Sequence, residues 1–222
     1  MKSIRLYFLL FALCCIDSLS AQKELGNRFL FPQFEKGYVF YNNGEYSTAS
    51  INYDMLQQRM LFQEADTVYT IDKPRNIHVV VIDKRRFVLI SPKGVFYEEI
   101  PAGNGSFFIN RKARMISKGK EAAYGGYSQT ESVNTFTSIT DQWNTSVILK
   151  QNEKFKLETE YFYYLKSGDS YKKFYSAKTL GKLFKNYESE ILQFAKEQSI
   201  DFSKIDDVAR IVEYGYSLGS NP

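Results

Sequence analysis

Side chains that could carry out catalysis are scarce in this chain. His78 is the only histidine, and both cysteines, Cys14 and Cys15, lie in the N-terminal apolar run. A Ser-His-Asp or Cys-His triad would have to pass through His78, and we expect no Gly-x-Ser-x-Gly elbow to supply a serine. Zinc sites usually need several histidine or cysteine ligands. We therefore predict no catalytic, metal or cofactor residue, interpret His78 as a structural residue in a strand, and expect a protein that is not an enzyme.

Paired carboxylates are the remaining route to acid–base chemistry. Glu98 and Glu99 are adjacent in a strand-like run, so their side chains point to opposite faces and cannot act as one pair. Glu158 and Glu160 have the even spacing that places two side chains on one strand face. Glycoside hydrolysis uses two carboxylates about 5–10 Å apart, so a hydrolase of envelope polysaccharide stays open as a third functional hypothesis. Asp206-Asp207 is interpreted as the acidic start of a helix.

Two groups of residues are candidates for partner binding. Residues 111–120 carry five positive charges, which would suit an acidic partner or anionic lipid head groups. Aromatic side chains accompany the Gly- and Ser-rich segment that follows, and they could stack on sugar rings or cap an apolar cleft. The candidate partner-binding residues are Arg111, Lys112, Arg114, Tyr124, Tyr127 and Trp143.

Residues 1–21 have the pattern of a signal peptide. Lys2 and Arg5 precede an apolar run of 11 residues from Leu6 to Ile16, and small residues around Ala21 suit cleavage before Gln22. A spanning helix needs about 20 apolar residues, so we expect no transmembrane span. Export of a secreted or periplasmic protein is the prediction, and a lipoprotein acylated at Cys14 or Cys15 is the alternative. Asp66-Thr67-Val68 resembles the tripeptide that some Gram-negative envelope proteins O-glycosylate at threonine.

The composition of the remaining chain favours a β-rich domain with a packed core. Without Lys2, Arg5 and Asp17 the totals are 27 basic and 24 acidic residues, so nothing indicates nucleic acid as a partner. Removal of the signal peptide leaves no cysteine, and disulfides cannot replace a core. Aromatic residues make up 16% of the chain, a composition that favours strands.

The order of local patterns predicts strands first and helices last. Asn42-Asn43-Gly44 between two strand-like runs predicts a β-hairpin with a type I′ turn. Residues 76–83 are β-branched on both faces, which is typical of a strand in the middle of a covered sheet. From Thr179 the apolar period becomes helical up to Gln198, and a second helix follows with Ser203 and Asp206 as its cap.

These patterns predict one α+β domain over residues 22–222. Its antiparallel β-meander curls into a sandwich or a partly open barrel, and two C-terminal α-helices follow. Residues 111–140 are expected to form a long, exposed and partly mobile loop, because they combine charge with Gly, Ser and Thr.

The hairpin YNNGEYSTASINYD with the following RMLF, and the tail TLGKLFKNYESEILQFAKEQSIDFSKIDDVARIVEY, resemble a family of secreted or periplasmic proteins of Gram-negative bacteria. That family has no assigned activity, so the resemblance implies export and a non-enzymatic role but no site. We expect an envelope protein that binds a protein or glycan partner. The alternative is a periplasmic carrier of a hydrophobic ligand inside the curled sheet.

Overall fold

The computed structural model describes residues 28–71, 74–90, 93–121, 127–128, 136–140, 146–150 and 153–219. The predicted signal peptide lies outside these residues. Contacts divide the chain into two compact units. Phe29–Lys112 and the chain from Glu160 onward belong to one, which we call the main unit. Ala113–Thr159 belongs to the other, which we call the second unit.

The strands of the described residues follow one another in short hairpins. Their bounds are β1 Glu35–Tyr41, β2 Tyr46–Asp54, β3 Arg59–Glu64, β4 Thr67–Thr70, β5 Ile77–Ile82, β6 Arg85–Leu89, β7 Phe96–Ala102, β8 Gly105–Glu121, β9 Tyr127–Ser128, β10 Phe136–Thr140, β11 Ser146–Lys150, β12 Glu153–Ser167 and β13 Ser170–Phe174.

Most of these strands form a single antiparallel sheet. Their order is β13-β12-β8-β7-β6-β5-β1-β2-β3-β4, with β9 paired to β8 and with β10 and β11 forming a separate hairpin. The two end strands, β13 and β4, are not paired with each other, so the large sheet is open. Tyr53 of β2 nevertheless stacks on Phe87 of β6, three strands away, with ring centroids 6.2 Å apart. The sheet therefore curls, and the predicted α+β class with an antiparallel meander is confirmed.

The first hairpin forms as predicted, but with a different turn. Phe40 pairs with Tyr46, and the Gly44 N–H donates to the Tyr41 carbonyl at 3.1 Å. Of the loop residues only Gly44 has a positive φ, of 86°, whereas a type I′ turn needs two such residues. The loop, residues 42–44, thus has three residues and ends in a glycine with left-handed backbone conformation. The Asn43 side chain stabilises this turn by accepting from the Glu45 N–H at 3.1 Å.

The segment before β1 is held against β2 by one asparagine. Asn52 is buried, its Oδ1 accepts from the Phe31 N–H at 3.2 Å, and its Nδ2 donates to the carbonyls of Phe31 at 2.9 Å and Gln33 at 3.0 Å. These bonds satisfy backbone groups that no strand pairs. They place the Phe31 ring 6.4 Å from that of Phe87, so the lead-in segment closes one part of the core.

The β-branched run lies where its pattern predicts, in the middle of the sheet. β5 pairs with β1 on one side and β6 on the other. Ile77, Val79, Val80 and Ile82 are buried, so β5 is covered on both faces. His78 lies in this strand, as predicted, and its side chain is exposed.

Three C-terminal helices cover one face of the sheet at the β8, β12 and β13 end. They are α1 Ala177–Gly181, α2 Glu188–Glu197 and α3 Ile205–Ser217. Leu180, Phe184, Ile191 and Val212 are fully buried in one cluster with sheet residues such as Phe107. No helix within the described ranges is long and apolar enough to cross a membrane.

The helix predicted from Thr179 to Gln198 is broken in the middle. Residues 182–186 form turns, and Asn186 has a φ of 73°, which ends any regular helix. The turns keep the spacing of the apolar residues, so Phe184 is still buried. Ser203 does not cap α3, because its hydroxyl donates to Asp201 at 2.7 Å and the N-cap residue is Lys204. Asp206 and Asp207 do lie in the first turn of α3, as predicted.

The largest difference from the sequence analysis concerns residues 111–140. β8 runs without interruption through Glu121, so the basic run is strand rather than loop. Residues 127–128 and 136–140 are also strands, and the rest of that stretch lies outside the described residues. The alternation of polar and apolar side chains from Lys112 to Met115 fits this extended structure, but it is too short to outweigh the charged and Gly-rich composition of the segment.

A close approach between α3 and the β7–β8 turn generates a stability prediction. A Cβ atom added at Gly105 would lie 2.3 Å from Cζ of Tyr216, whose hydroxyl donates to the Ser106 carbonyl at 3.0 Å. Gly105→Ala should therefore lower the free energy of unfolding by roughly 2 kcal/mol through overpacking. Urea unfolding of the single and double variants measures this value. In a Tyr216→Leu background the same change should cost much less, and additive costs would contradict the contact.

Candidate functional site

The alternation of β8 separates the predicted basic residues. Arg111 points to the covered face of the sheet and is only 11% exposed, whereas Lys112 and Arg114 are exposed. Tyr127 lies in the short strand β9, and Tyr124 and Trp143 lie outside the described residues. Among the candidates with described side chains, Arg111 thus lies on the opposite face of β8 from Lys112 and Arg114. Thr67 is exposed at the first position of β4, and its glycosylation stays a prediction.

Arg111 belongs to a buried charge cluster that the sequence analysis did not find. Its other members are Glu98 of β7 and Arg85 of β6, and we call these three residues the charge cluster. Arg85 donates to Glu98 from Nε at 2.6 Å and from Nη2 at 2.7 Å, and Arg111 donates from Nε at 2.5 Å. Glu98 is 4% exposed. The two arginines reach it diagonally from the neighbouring strands, one from each side.

Aromatic rings complete the surroundings of the two guanidinium groups. The Arg85 guanidinium lies 5.0 Å from the ring centroid of Phe31 and 5.7 Å from that of Phe87. The Arg111 guanidinium lies 5.2 Å from the Tyr161 ring. Each distance is within the range of a cation–π contact, which helps to compensate the positive charge left over by two arginines and one carboxylate.

The charge cluster keeps Glu98 ionised. Burial alone would raise the pKa of Glu98, but the hydrogen bond from Arg85 and the positive charges of Arg111 and Arg85 outweigh burial and lower the pKa below its ordinary value. A carboxylate held in this way is a poor proton donor near neutral pH, because it stays charged and its oxygens are occupied. We interpret the cluster as a structural connection between β6, β7 and β8 rather than as an acid catalyst.

The other carboxylates are also engaged in local structure. Glu99 points to the opposite face from Glu98, as predicted, and accepts from Arg86 at 3.0 Å and from Ser106 at 3.1 Å. Glu158 pairs with Lys156 at 2.9 Å, and its side chain is 44% exposed. Among the residues with described positions, no group of three or more His, Cys, Asp and Glu side chains could hold a metal ion.

One serine motif was overlooked in the sequence. Residues 215–219, GYSLG, have the Gly-x-Ser-x-Gly spacing, which in hydrolases forms a turn between a strand and a helix. Here the spacing spans the C-terminal end of α3, and the Ser217 hydroxyl donates to the Tyr214 carbonyl at 2.7 Å. The motif is therefore the end of a helix and not a nucleophile elbow.

One concave site in the main unit is a groove on the inner face of the first hairpins. It has a volume of about 600 Å³. The residues that line the groove come from β1, β2 and β3, from the end of the β3–β4 hairpin and from the start of β5. They are Val39, Tyr41, Ser47, Thr48, Ala49, Ile51, Phe62, Gln63, Glu64, Ile71, Asn76 and Ile77.

The floor of the groove is aliphatic and its rim is polar. Val39, Ile51 and Ile77 are at most 6% exposed, and Ile51 faces Phe62 in the β2–β3 register. At the rim the hydroxyls of Tyr41 and Ser47 are 3.0 Å apart and hydrogen-bonded. Such a surface can hold an apolar group and orient a polar one.

The small side chains of β2 create the space. Ser47, Ala49 and Ile51 alternate onto the inner face, so two small residues precede the first large one. On the neighbouring strands the same face carries the larger Val39 and Phe62. The alternation of side chains along β2 is visible in the sequence. The volume of the groove depends on which strands become the neighbours of β2, so this site was not predicted.

The chain matches no known protein-family model, no curated protein and no solved structure. The resemblance to secreted proteins of Gram-negative bacteria consequently stays a prediction, as does export.

Adjacent glutamates on opposite faces offer a matched test of the charge cluster. Glu98→Gln should lower the free energy of unfolding by about 3 kcal/mol, because it leaves the guanidinium groups of Arg85 and Arg111, which are only 29% and 11% exposed, without a counter-charge. Glu99→Gln removes an ion pair whose arginine is 52% exposed and should cost less than about 1 kcal/mol. Chemical unfolding of both variants at neutral pH gives the comparison. Equal costs would contradict the structural role of the cluster.

The same variants should differ in their response to acid. Because the folded-state pKa of Glu98 is lowered, its contribution is fully present above the ordinary value of 4.5 and is lost as pH falls through the folded value. The wild type and Glu99→Gln should therefore lose stability more steeply below pH 4.5 than Glu98→Gln does.

Proposed function

We propose that the protein is an exported, non-enzymatic binding protein that carries a small apolar ligand in the groove. The observation that carries this proposal is the concave space of about 600 Å³ with an aliphatic floor and a polar rim. Pockets for small ligands commonly have about 300–1,000 Å³ and combine apolar walls with a few polar groups. The place of action outside the cytoplasm rests on the signal-peptide pattern of residues 1–21.

The rest of the inner face supports the groove as the place for a ligand. Phe31, Tyr53 and Phe87 fill the neighbouring part of the curl with their own rings, at centroid distances of 6.2 and 6.4 Å. A ligand deep between β2 and β6 would have to displace these rings. The groove, by contrast, lies beside small side chains and needs no rearrangement.

The walls of the groove are preorganised. β1 and β2 pair over six residues, and β2 and β3 pair over five. The Asn52 bonds to the lead-in segment brace β2 on its other face. A site built on paired strands loses little conformational entropy when a ligand binds, which favours affinity.

A bulky side chain placed in the groove tests the proposal. Ala49→Trp should fill the space and lower the affinity for the neutral fluorescent probe N-phenyl-1-naphthylamine at least about tenfold. Ser50→Trp is the matched control, because Ser50 is exposed and its side chain alternates to the other face of β2. Fluorescence titration of the folded variants measures the affinity. Equal probe binding by wild type and Ala49→Trp would contradict the proposal, as would loss of binding in Ser50→Trp alone.

A second candidate function, glycan binding, is favoured by the opposite face of β1 and β2. Tyr38, Phe40 and Tyr46 form an aromatic row there, with centroid distances of 6.4 Å and 5.9 Å and interplanar angles of 28° and 34°. Tyr38 is 39% and Tyr46 is 65% exposed. Exposed rings of similar orientation offer flat apolar faces to sugar rings, and the tyrosine hydroxyls add hydrogen bonds.

The aromatic row predicts a distinct pattern on a glycan array. Tyr38→Ala and Tyr46→Ala should each weaken binding of a recognised glycan by about tenfold, the effect expected for one stacking contact. Tyr175→Ala serves as the control, because Tyr175 is 67% exposed and lies outside the row. Absence of any glycan bound by the wild type would exclude this candidate and leave the groove proposal intact.

A further inference from the structure

Among the residues that line the groove, the only charge is negative. Glu64, at the end of β3, is the charged residue among those that line it. Its side chain lies on the same strand face as Phe62, because the two are separated by one residue. Glu64 is exposed and makes no ion pair with any residue in the described part of the chain.

Basic residues of the neighbouring strands are directed away from the groove. Arg59 is five positions before Glu64 in β3, an odd separation that places it on the other face. Lys36 of β1 pairs with Ser50, whose side chain also alternates to the other face. Arg75 precedes Asn76 but does not line the groove. Among the described residues, no basic side chain therefore lines the groove beside Glu64.

We infer that the groove selects amphiphiles with a cationic head, an alkyl chain ending in an amine, over fatty acids with an anionic head. This inference rests on the proposed function and names the ligand class for it. The apolar chain lies against Val39, Ile51 and Phe62, and the ammonium group lies at the rim beside Glu64.

The rim also offers the acceptors that an ammonium group needs. An ammonium donates three hydrogen bonds and accepts none. The Glu64 carboxylate, the Tyr41–Ser47 hydroxyl pair and the Asn76 amide oxygen supply acceptors on the lining. A carboxylate head would instead meet the like charge of Glu64. The net charge of the whole chain is +4, so a preference for cations would come from the groove and not from the protein's overall field.

Competition among three ligands with the same ten-carbon chain tests the inference. Decylammonium, decanol and decanoate displace N-phenyl-1-naphthylamine at pH 7, each used below the concentration at which it forms micelles. For the wild type we expect decylammonium to bind about fivefold more tightly than decanol, and decanoate more weakly than decanol, as an exposed ion pair would give. The differences should shrink as salt is added.

Two variants show whether Glu64 is the source of the preference. In Glu64→Gln the three ligands should bind within about twofold of one another. Glu45→Gln changes the net charge by the same amount in the β1–β2 loop, outside the groove lining, and should keep the wild-type order. Both residues are exposed, so both variants are expected to fold.

The possible outcomes distinguish a failure of the inference about the cationic head from a failure of the proposed function on which it rests. If decanol displaces the probe but decanoate binds as tightly as decylammonium, or if Glu64→Gln keeps the full preference, the inference is overturned and the groove remains a binding site. If neither the probe nor any of the three ligands binds, the proposed function itself fails.

Discussion

The register between β1 and its two neighbours is the constraint on which the rest of the main unit depends. Val39 faces Ser47 on β2 and Val80 on β5. Because side chains alternate along a strand, a slip of one residue would move every apolar side chain of the inner face to the outer face. The same slip would open the groove outward and bring Tyr38 and Tyr46 inside. Turn chemistry at Gly44 and the Asn52 bonds both select the observed register.

Three kinds of interaction hold three parts of the sheet. At the β1–β3 end, cross-strand aliphatic contacts and the clamp of Asn52 suffice, and small residues on β2 leave the groove open. In the middle, Glu98 binds Arg85 and Arg111 and connects three strands through charge. A buried cluster of this type is costly to desolvate, so it tolerates few alternative pairings and specifies which strands lie together. Beyond it, the helices cover the sheet with an apolar cluster that contains no ion pair.

The functional proposals divide the molecule in the same way. The helix-covered core is filled by its own apolar side chains, and the charge cluster connects β6, β7 and β8, so both are explained by stability. The β1–β3 region, in contrast, has concave apolar space on one face and exposed aromatic rings on the other. A carrier and a glycan-binding protein thus make use of opposite faces of the same hairpin. Glu64 gives the rim of the groove a negative charge, which apolar contacts alone would not provide.

Local patterns in the sequence were sufficient for much of the fold. The turn residues of the first hairpin, the β-branched run of β5, the opposite directions of Glu98 and Glu99 and the apolar face shared by Leu180, Phe184 and Ile191 all follow from periods of two or about 3.6 residues. These features depend on neighbours within a few positions along the chain. That is why they could be predicted without knowing which strands meet.

Only the tertiary structure decided the partners of distant residues. Arg111 looked like part of a solvated basic loop, and its position in a strand is stabilised by Glu98, 13 residues away. The helix predicted as continuous breaks near Asn186, although its apolar period persists. The groove exists because β2 happens to present Ser47 and Ala49 between larger side chains of other strands. The volume of the groove and the compensation of the Glu98 charge both depend on residues far apart in sequence, so no local periodicity predicts them.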